Sequence, residues 1–167
     1  MKKIFVLLLF TLNYSYSQID SISSIYPNID SKIVKLDSIS DEVIYNKIKS
    51  WIQTYYKNPN IVLKGDIKNE MVRIEGVSYF IYNWMGKQTA PMYYTLEVNI
   101  KDNKYKFDYL SVRLFDDKKQ ISYLYDNKGH LKKQRYIKDM YESILNNLNE
   151  LHFGIYKYIT NNNKNDW

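Results

Sequence analysis

Tyr93-Tyr94-Thr95-Leu96-Glu97-Val98-Asn99-Ile100-Lys101-Asp102-Asn103-Lys104-Tyr105-Lys106-Phe107 is the stretch that decides the fold of this chain. Tyr94, Leu96, Val98 and Ile100 alternate with Thr95, Glu97, Asn99 and Lys101, a period of two that gives a strand one buried and one wet face. Asp102-Asn103 supplies residues that tolerate a tight hairpin turn, and Tyr105, Phe107 and Tyr109 carry the apolar phase back. An antiparallel hairpin with one solvated side is therefore expected here.

Working outward, the apolar phase shifts after Tyr109 to Leu110, Val112 and Leu114, which predicts a bulge. Asp116 to Gln120 reads as a polar turn, Ile121 to Tyr125 as a short strand, and Asp126 to Gly129 as another turn. On the other side, Gly86 to Pro91 reads as a loop and Glu70 to Trp84 as a long strand rich in β-branched and aromatic residues. In that strand Val72 and Ile74 share one face with Phe80, Tyr82 and Trp84, while Arg73 and Glu75 share the other with Val77, Tyr79 and Ile81. Gly76 is expected to mark a bend or bulge. Ile61 to Leu63 begins a further strand that turns near Gly65-Asp66.

Two helices bracket these strands. Ile44, Ile48, Trp51, Ile52 and Tyr55 fall on one helical face, which predicts a helix from about Asp41 to Lys57. Ser38 and Asp41 have capping-box spacing, Asp41 and Glu42 suit the positive end of the dipole, and Asn58-Pro59 stops the helix. A long second helix starts near Tyr136, with a stripe of Ile137, Met140, Ile144, Leu148, Leu151, Ile155 and Ile159, and Gly154 weakening its last turns. A short strand, Lys32 to Leu36, precedes the first helix. Residues 18–32, rich in Ser, Ile, Asp and Asn, read as a flexible arm, and residues 161–167 as a polar tail.

The chain at this point resembles a family of exported bacterial proteins described as a domain of unknown function with a TBP-like fold. The resemblance rests on Asp41-Glu42-Val43-Ile44-Tyr45-Asn46-Lys47-Ile48-Lys49-Ser50-Trp51-Ile52, on Met71 to Glu75 ending at Gly76, and on the hairpin from Tyr93 to Phe107. It covers roughly residues 33–115, with the last helix agreeing in type only. It implies an α+β domain over residues 33–160 in the order β-α-β4-α, a curved antiparallel sheet with two helices packed on one face. It also implies an envelope address, and it carries no catalytic residues over to this chain.

The first seventeen residues agree with that address. Lys2 and Lys3 precede an apolar run from Ile4 to Phe10, and Ser15 and Ser17 flank Tyr16 before Gln18, the pattern of a signal peptide cleaved after Ser17. The apolar run is far short of the roughly 20 residues that span a bilayer. The chain has no cysteine, which excludes a lipid-modified cysteine, disulfides and thiolate metal sites. The product is expected in the periplasm or outside the cell, and not as a lipoprotein. The formal charge of +6 loses Lys2 and Lys3 with the signal, a modest excess that favours solubility and attraction to anionic envelope surfaces. Export argues against a nucleic-acid partner. The skew towards Asn, Ile, Lys and Tyr, with Ala90 as the single alanine, is what an AT-rich genome produces, so the 18 tyrosines do not by themselves mark a binding surface.

Catalytic signatures are absent. The chain contains no nucleophile elbow, phosphate-cradling glycine loop, zinc-protease helix motif or calcium loop. His130 sits among Lys128, Lys132, Lys133 and Arg135, where neighbouring cations disfavour a metal. His152 follows Glu150 by two residues, a helical spacing that separates the two side chains. Neither supports a metal site, and no cofactor is expected. The carboxylates Asp66, Glu75, Glu97, Asp108, Asp116 and Asp117 are scattered, and a hydrolase would need two of them to converge. The reading therefore leans away from an enzyme.

Two surfaces remain as candidates. With both helices on one side of the sheet, Arg73, Glu75, Tyr79, Ile81, Tyr93, Thr95 and Glu97 form an open, partly aromatic face, suited to a protein, peptide or glycan. The leading expectation is thus a non-enzymatic envelope binding module that uses this face or the strand edge. The rival is a carrier of a small apolar ligand such as a lipid, with Trp51, Phe80, Tyr94 and Phe107 around a pocket between sheet and helices. A purely structural or self-associating protein is a third reading. The basic run Lys128 to Lys138 reads as a solvated surface or as a patch for an anionic glycan or lipid headgroup.

Overall fold

The computed structural model describes residues 19–116 and 119–161. The expected signal peptide lies outside the described residues, as does the expected tail beyond Asn161. The elements run β1 (Lys32–Lys35), α1 (Asp41–Tyr55), α2 (Pro59–Val62), β2 (Leu63–Ile67), β3 (Met71–Asn83), β4 (Lys87–Lys101), β5 (Lys104–Leu114), β6 (Lys119–Gln120), a 3-10 turn (Ile121–Leu124) and α3 (Arg135–Thr160). The strands form one antiparallel sheet in the order β1-β5-β4-β3-β2, with β6 also paired to β5. This is the expected α+β architecture.

The alternation in β4 sets the layering. Met92, Tyr94, Leu96, Val98 and Ile100 are buried beneath the helices, whereas Tyr93, Thr95, Glu97 and Asn99 face away and stay half-buried. The stripes of α1 and α3 close over the buried side, where Ile44, Ile48, Ile144, Leu148 and Ile155 have no exposed surface. At about 1.5 to 3 kcal/mol per fully buried aliphatic side chain, such a stripe is ample to dock a helix.

Several local expectations are corrected. The cap of α1 is Ser40, whose side chain accepts from the Val43 N–H, and not Ser38, which has a φ of 70°. Asp41 reaches out of the helix instead and accepts from the N–H groups of Asp102 and Asn103, at 3.2 and 2.8 Å. It thereby holds the β4–β5 turn, where both residues have positive φ. Helix α1 stops at Tyr55. Pro59 then begins the separate turn α2, because a proline at the first helical position loses no hydrogen bond.

The stretch 86–91 is not a loop. β3 and β4 stay paired out to Asn83 and Lys87, making one long hairpin. Pro91 is tolerated inside β4 because β5 ends opposite it, and its carbonyl still accepts from the Phe115 N–H at 3.1 Å. Gly76 is not a bulge either, since β3 and β4 remain in register through Gly76 and Tyr94. The predicted bulge at Leu110 is present, between the pairs Thr95 with Ser111 and Leu96 with Tyr109. Ile121 to Leu124 is a 3-10 turn and not a strand.

The N-terminal stretch 19–31 is docked, not loose. Ile22 and Ile25 are each only 1% exposed, and Asn149 on α3 brackets Ile22 by accepting from its N–H at 2.7 Å and donating to its carbonyl at 3.0 Å. Tyr26 stacks on Tyr125 with ring centroids 4.3 Å apart. Ile19, Ile22, Ile25 and Ile29 recur every three or four residues, but Pro27 and the surrounding Ser, Asp and Asn break any helix there, so only tertiary contacts define these isoleucines as core.

The sheet edge at β3 is also covered. β2 pairs β3 only as far as Ile74, and beyond it Asp139, Ser143 and Asn147, four residues apart on α3, take over. Ser143 Oγ accepts from the Ile81 N–H at 2.9 Å, Asp139 from the Asn83 N–H at 3.2 Å, and Asn147 donates to the Tyr79 carbonyl at 3.1 Å. A row of side chains thus satisfies a strand edge that would otherwise offer itself to another chain.

Candidate functional site

The sheet face turned away from α1 and α3 brings together the residues singled out from the sequence. Cross-strand pairs place Arg73 beside Glu97, Glu75 beside Thr95 and Val77 beside Tyr93, while Tyr79 lies beside Pro91 and Ile81 beside Thr89. β5 extends the same face with Asp108 beside Glu97, Ser111 beside Thr95 and Arg113 beside Tyr93. All seven candidate residues therefore share one surface. Period-two alternation puts them there, because the helix-side positions of β3 and β4 are the apolar ones.

This surface has two halves of different chemistry. Near the β4–β5 turn, Arg73 donates through Nε and Nη2 to one Glu97 oxygen, at 2.8 and 2.6 Å, and Asn99 donates to the other at 2.9 Å. Burial alone would raise the Glu97 pKa, but the hydrogen bonds from Asn99 and Arg73 and the arginine charge outweigh it and hold the carboxyl below its ordinary range. Lys106 pairs with Asp108 at 2.9 Å, and Ser111 donates to Thr95 at 3.0 Å.

Glu97 and Asp108 are the two scattered carboxylates that do converge. Each is already matched by a cation, and Glu97 is held ionised. General acid work needs a carboxyl whose pKa is raised, so this arrangement reads as a structural ion-pair network. Asp66 is engaged elsewhere, accepting from Tyr45 at 2.6 Å and from Lys49 at 2.5 Å.

The other half is apolar and lies towards the β3–β4 tip. Val77, Tyr79 and Ile81 are 47, 62 and 43% exposed, with Pro91 and Tyr93 half-buried beside them. Three successive outward positions of one strand are thus large, apolar and open to solvent.

A groove of about 700 Å³ adjoins the polar half where β5 lacks a neighbour. β1 pairs with residues 104–107 of β5 and β6 with Arg113 and Leu114, which leaves the edge between them unpaired. Glu97, Lys106, Asp108 and Arg113 line the sheet side, and residues 25–29 of the docked arm line the other. Sequence reasoning missed this groove because its outer wall is the arm.

The alternative pocket is not formed by its four residues. Trp51, Phe80, Tyr94 and Phe107 are all buried, but each fills a different part of the core. Trp51 stacks on Tyr55 at 4.6 Å, Phe80 meets Phe115 edge-on at 5.4 Å, and Phe107 meets Tyr109 edge-on at 5.2 Å. The hydroxyls of Tyr94 and Tyr56 share a hydrogen bond of 2.7 Å, and burial raises the pKa of both phenols. Aromatic neighbours fill the space around these four residues in the core, and Trp51 also lines a surface cleft of about 340 Å³ with Tyr55 and Gly154.

Of the histidines, His130 is exposed, with Nδ1 3.7 Å from Asp126. His152 is buried, and its Nε2 lies 3.2 Å from the Asp20 carbonyl, so the tautomer protonated at Nε2 donates there. Among the described residues no three histidine or carboxylate groups gather as a metal ligand set. Nor is any described helix long and apolar enough to cross a membrane.

An antiparallel sheet with its helices on one face and the other face open is the arrangement of a TBP-like α+β domain. The family profile described as a domain of unknown function (DUF4468) with TBP-like fold matches residues 31–114, and the chain belongs to that family. A crystal structure of a DUF4468 family protein from Bacteroides ovatus superposes with a TM-score of 0.65 at 12% identity, over 84% of this chain and 91% of that one. A TBP-like protein from Parabacteroides distasonis gives a TM-score of 0.64 at 15% identity, over 79% of this chain and 92% of that one. At such identities the likeness is one of fold. No curated protein matches the chain.

Proposed function

We propose that this chain is an exported, non-enzymatic binding module that engages a protein or peptide of the cell envelope through the open face of its sheet. The observation that carries the reading is the exposed row Val77, Tyr79 and Ile81 on a sheet whose other face packs beneath α1 and α3. Aliphatic side chains beside tyrosine, with a polar rim of Arg73, Glu75 and Arg113, resemble the core and rim of a protein interface. A glycan would call for flat aromatic platforms rather than two β-branched aliphatic residues. The export signal in the sequence supports the envelope as the place of action.

The test is photo-crosslinking in the source cells. A photoreactive residue at position 79 is expected to capture a discrete protein partner, and the same residue at the exposed position Asn60 on α2 is not. Capture at position 79 should disappear in an Ile81→Asp background. Equal labelling at both positions, or capture that survives Ile81→Asp, would count against the open face as the interface. Native mass spectrometry of the chain from Gln18 onward separates the carrier reading, which requires extra small-molecule mass that is lost on denaturation.

A further inference from the structure

We propose that the tip of the β3–β4 hairpin and the basic residues around the start of α3 form a docking surface for an anionic phospholipid bilayer. The tip is Asn83-Trp84-Met85-Gly86-Lys87. Trp84 is 59% exposed and Met85 94% exposed, the most exposed of the large apolar side chains described. Met85 has a φ of 53° and Gly86 of 117°, so a long apolar side chain is held outward by a backbone conformation that non-glycine residues rarely adopt. Among the described residues nothing covers that side chain, and burial does not explain why the position is apolar.

The surroundings of the tip are cationic. The Trp84 ring lies 6.5 Å from Tyr136 in the first turn of α3, which brings Lys133 and Arg135 to the same end of the molecule as Lys87. All three are exposed and make no ion pair among the described residues. Two of them flank the N-terminal end of a helix with no acid in its first turn, where the dipole disfavours positive charge. Helix stability therefore does not account for them. The nearby acids are partly engaged: Asp139 accepts from the Asn83 N–H, and Glu142 lies 3.7 Å from Lys138.

A cleft of about 500 Å³ shares Lys133 with this surface and is lined by Lys128, His130, Asp126 and Lys132 as well, the last donating to the Tyr123 carbonyl. It has room for a phosphate headgroup. An exposed tryptophan and methionine within a basic rim is the combination that interfacial binding uses. The apolar tip enters the boundary of headgroups and acyl chains, and the cations meet the anionic lipid. The proposal is independent of the open-face reading, because Tyr79 and Tyr93 take no part in it.

The experiment is vesicle flotation with the chain from Gln18 onward, which retains every residue of the described core. Vesicles of phosphatidylglycerol and phosphatidylcholine in equal parts are compared with phosphatidylcholine alone. Binding is expected only to the anionic vesicles, and about 0.5 M salt should largely release it. Met85→Asp and the pair Lys133→Glu with Arg135→Glu should each weaken it by about tenfold or more, with no loss of thermal stability, because these side chains are exposed and acids suit the start of a helix. The proposal is overturned by equal binding to both vesicle types or by no binding to either. It is also overturned if soluble polyphosphate binds as tightly to Met85→Asp as to the native chain while vesicles do not bind, which would make the surface a polyanion site.

Discussion

Gly76 lies against the ring of Tyr94, its partner on the neighbouring strand, so closely that a Cβ on the glycine would overlap the phenol. The missing side chain lets a tyrosine lie flat across the helix side of the sheet and reach the Tyr56 hydroxyl at 2.7 Å. Gly76→Ala should therefore destabilise the fold by overpacking, by about 1 to 3 kcal/mol or more. Urea denaturation of the variant checks this. The double variant Gly76→Ala with Tyr94→Leu should recover part of the loss.

Leu148 sits at the middle of the α3 stripe with no exposed surface. Leu148→Ala should lose about 2 to 5 kcal/mol, the range for a buried leucine that leaves a cavity. The midpoint of urea unfolding should move without a change in slope. A loss near zero would mean that α3 does not pack on the sheet in solution.

Asn149 makes two hydrogen bonds to the backbone of Ile22. Asn149→Ala leaves that N–H and carbonyl without their partner, which should cost about 1 to 3 kcal/mol. The signature that distinguishes it from Leu148→Ala is local. Limited proteolysis should cut within residues 19–31 well before the rest of the domain, and hydrogen exchange should rise first at Ile22.

His152 titrates on the low side, because burial disfavours the imidazolium and brings its pKa from 6.5 down to about 4, against a weaker opposing effect of the Asp20 carbonyl. The unfolded chain takes up a proton below its ordinary value while the native state does not. The stability this group contributes is therefore complete above pH about 6.5 and is lost as the pH falls towards about 4. The loss over that window amounts to at most about 3 kcal/mol. Unfolding free energies of the native chain and His152→Gln, measured across this window, should converge as the pH drops. Parallel curves would mean that the ring is hydrated.

The open face predicts the opposite of a core position. Tyr79→Ser should leave stability within about 1 kcal/mol of the native chain, since the side chain is 62% exposed. The same substitution at Tyr94, which is buried, should be severe. Thermal unfolding of the two variants, side by side, checks which face of the sheet is solvated.

Alternation in β3, β4 and β5 and the stripes of α1 and α3 were legible in the sequence, because strand and helix periods act over neighbouring residues and need no knowledge of the partner. That period alone placed Arg73, Glu75, Tyr79, Ile81, Tyr93, Thr95 and Glu97 on one face. The same local logic misread Gly76 as a bulge and Ser38 as a cap. The first answer depends on a ring from the next strand, and the second on Asp41 being drawn to a turn some sixty residues away. Trp51, Phe80, Tyr94 and Phe107 looked like a pocket lining because aromatic residues on helix-facing positions can line a cavity or fill one. Only their packing against Tyr55, Phe115, Tyr56 and Tyr109 decided for filling. The sequence by itself determined which residues turn inward along β4 and along most of α1 and α3, since that is written in spacing, although Tyr55 and Trp84 lie exposed where the period turned them inward. The tertiary structure decided how far β3 and β4 run before they turn, that residues 19–31 belong to the core, and that α3 covers the free edge of β3. Each of those depends on contacts between residues distant in the chain, whose free energy no local period encodes.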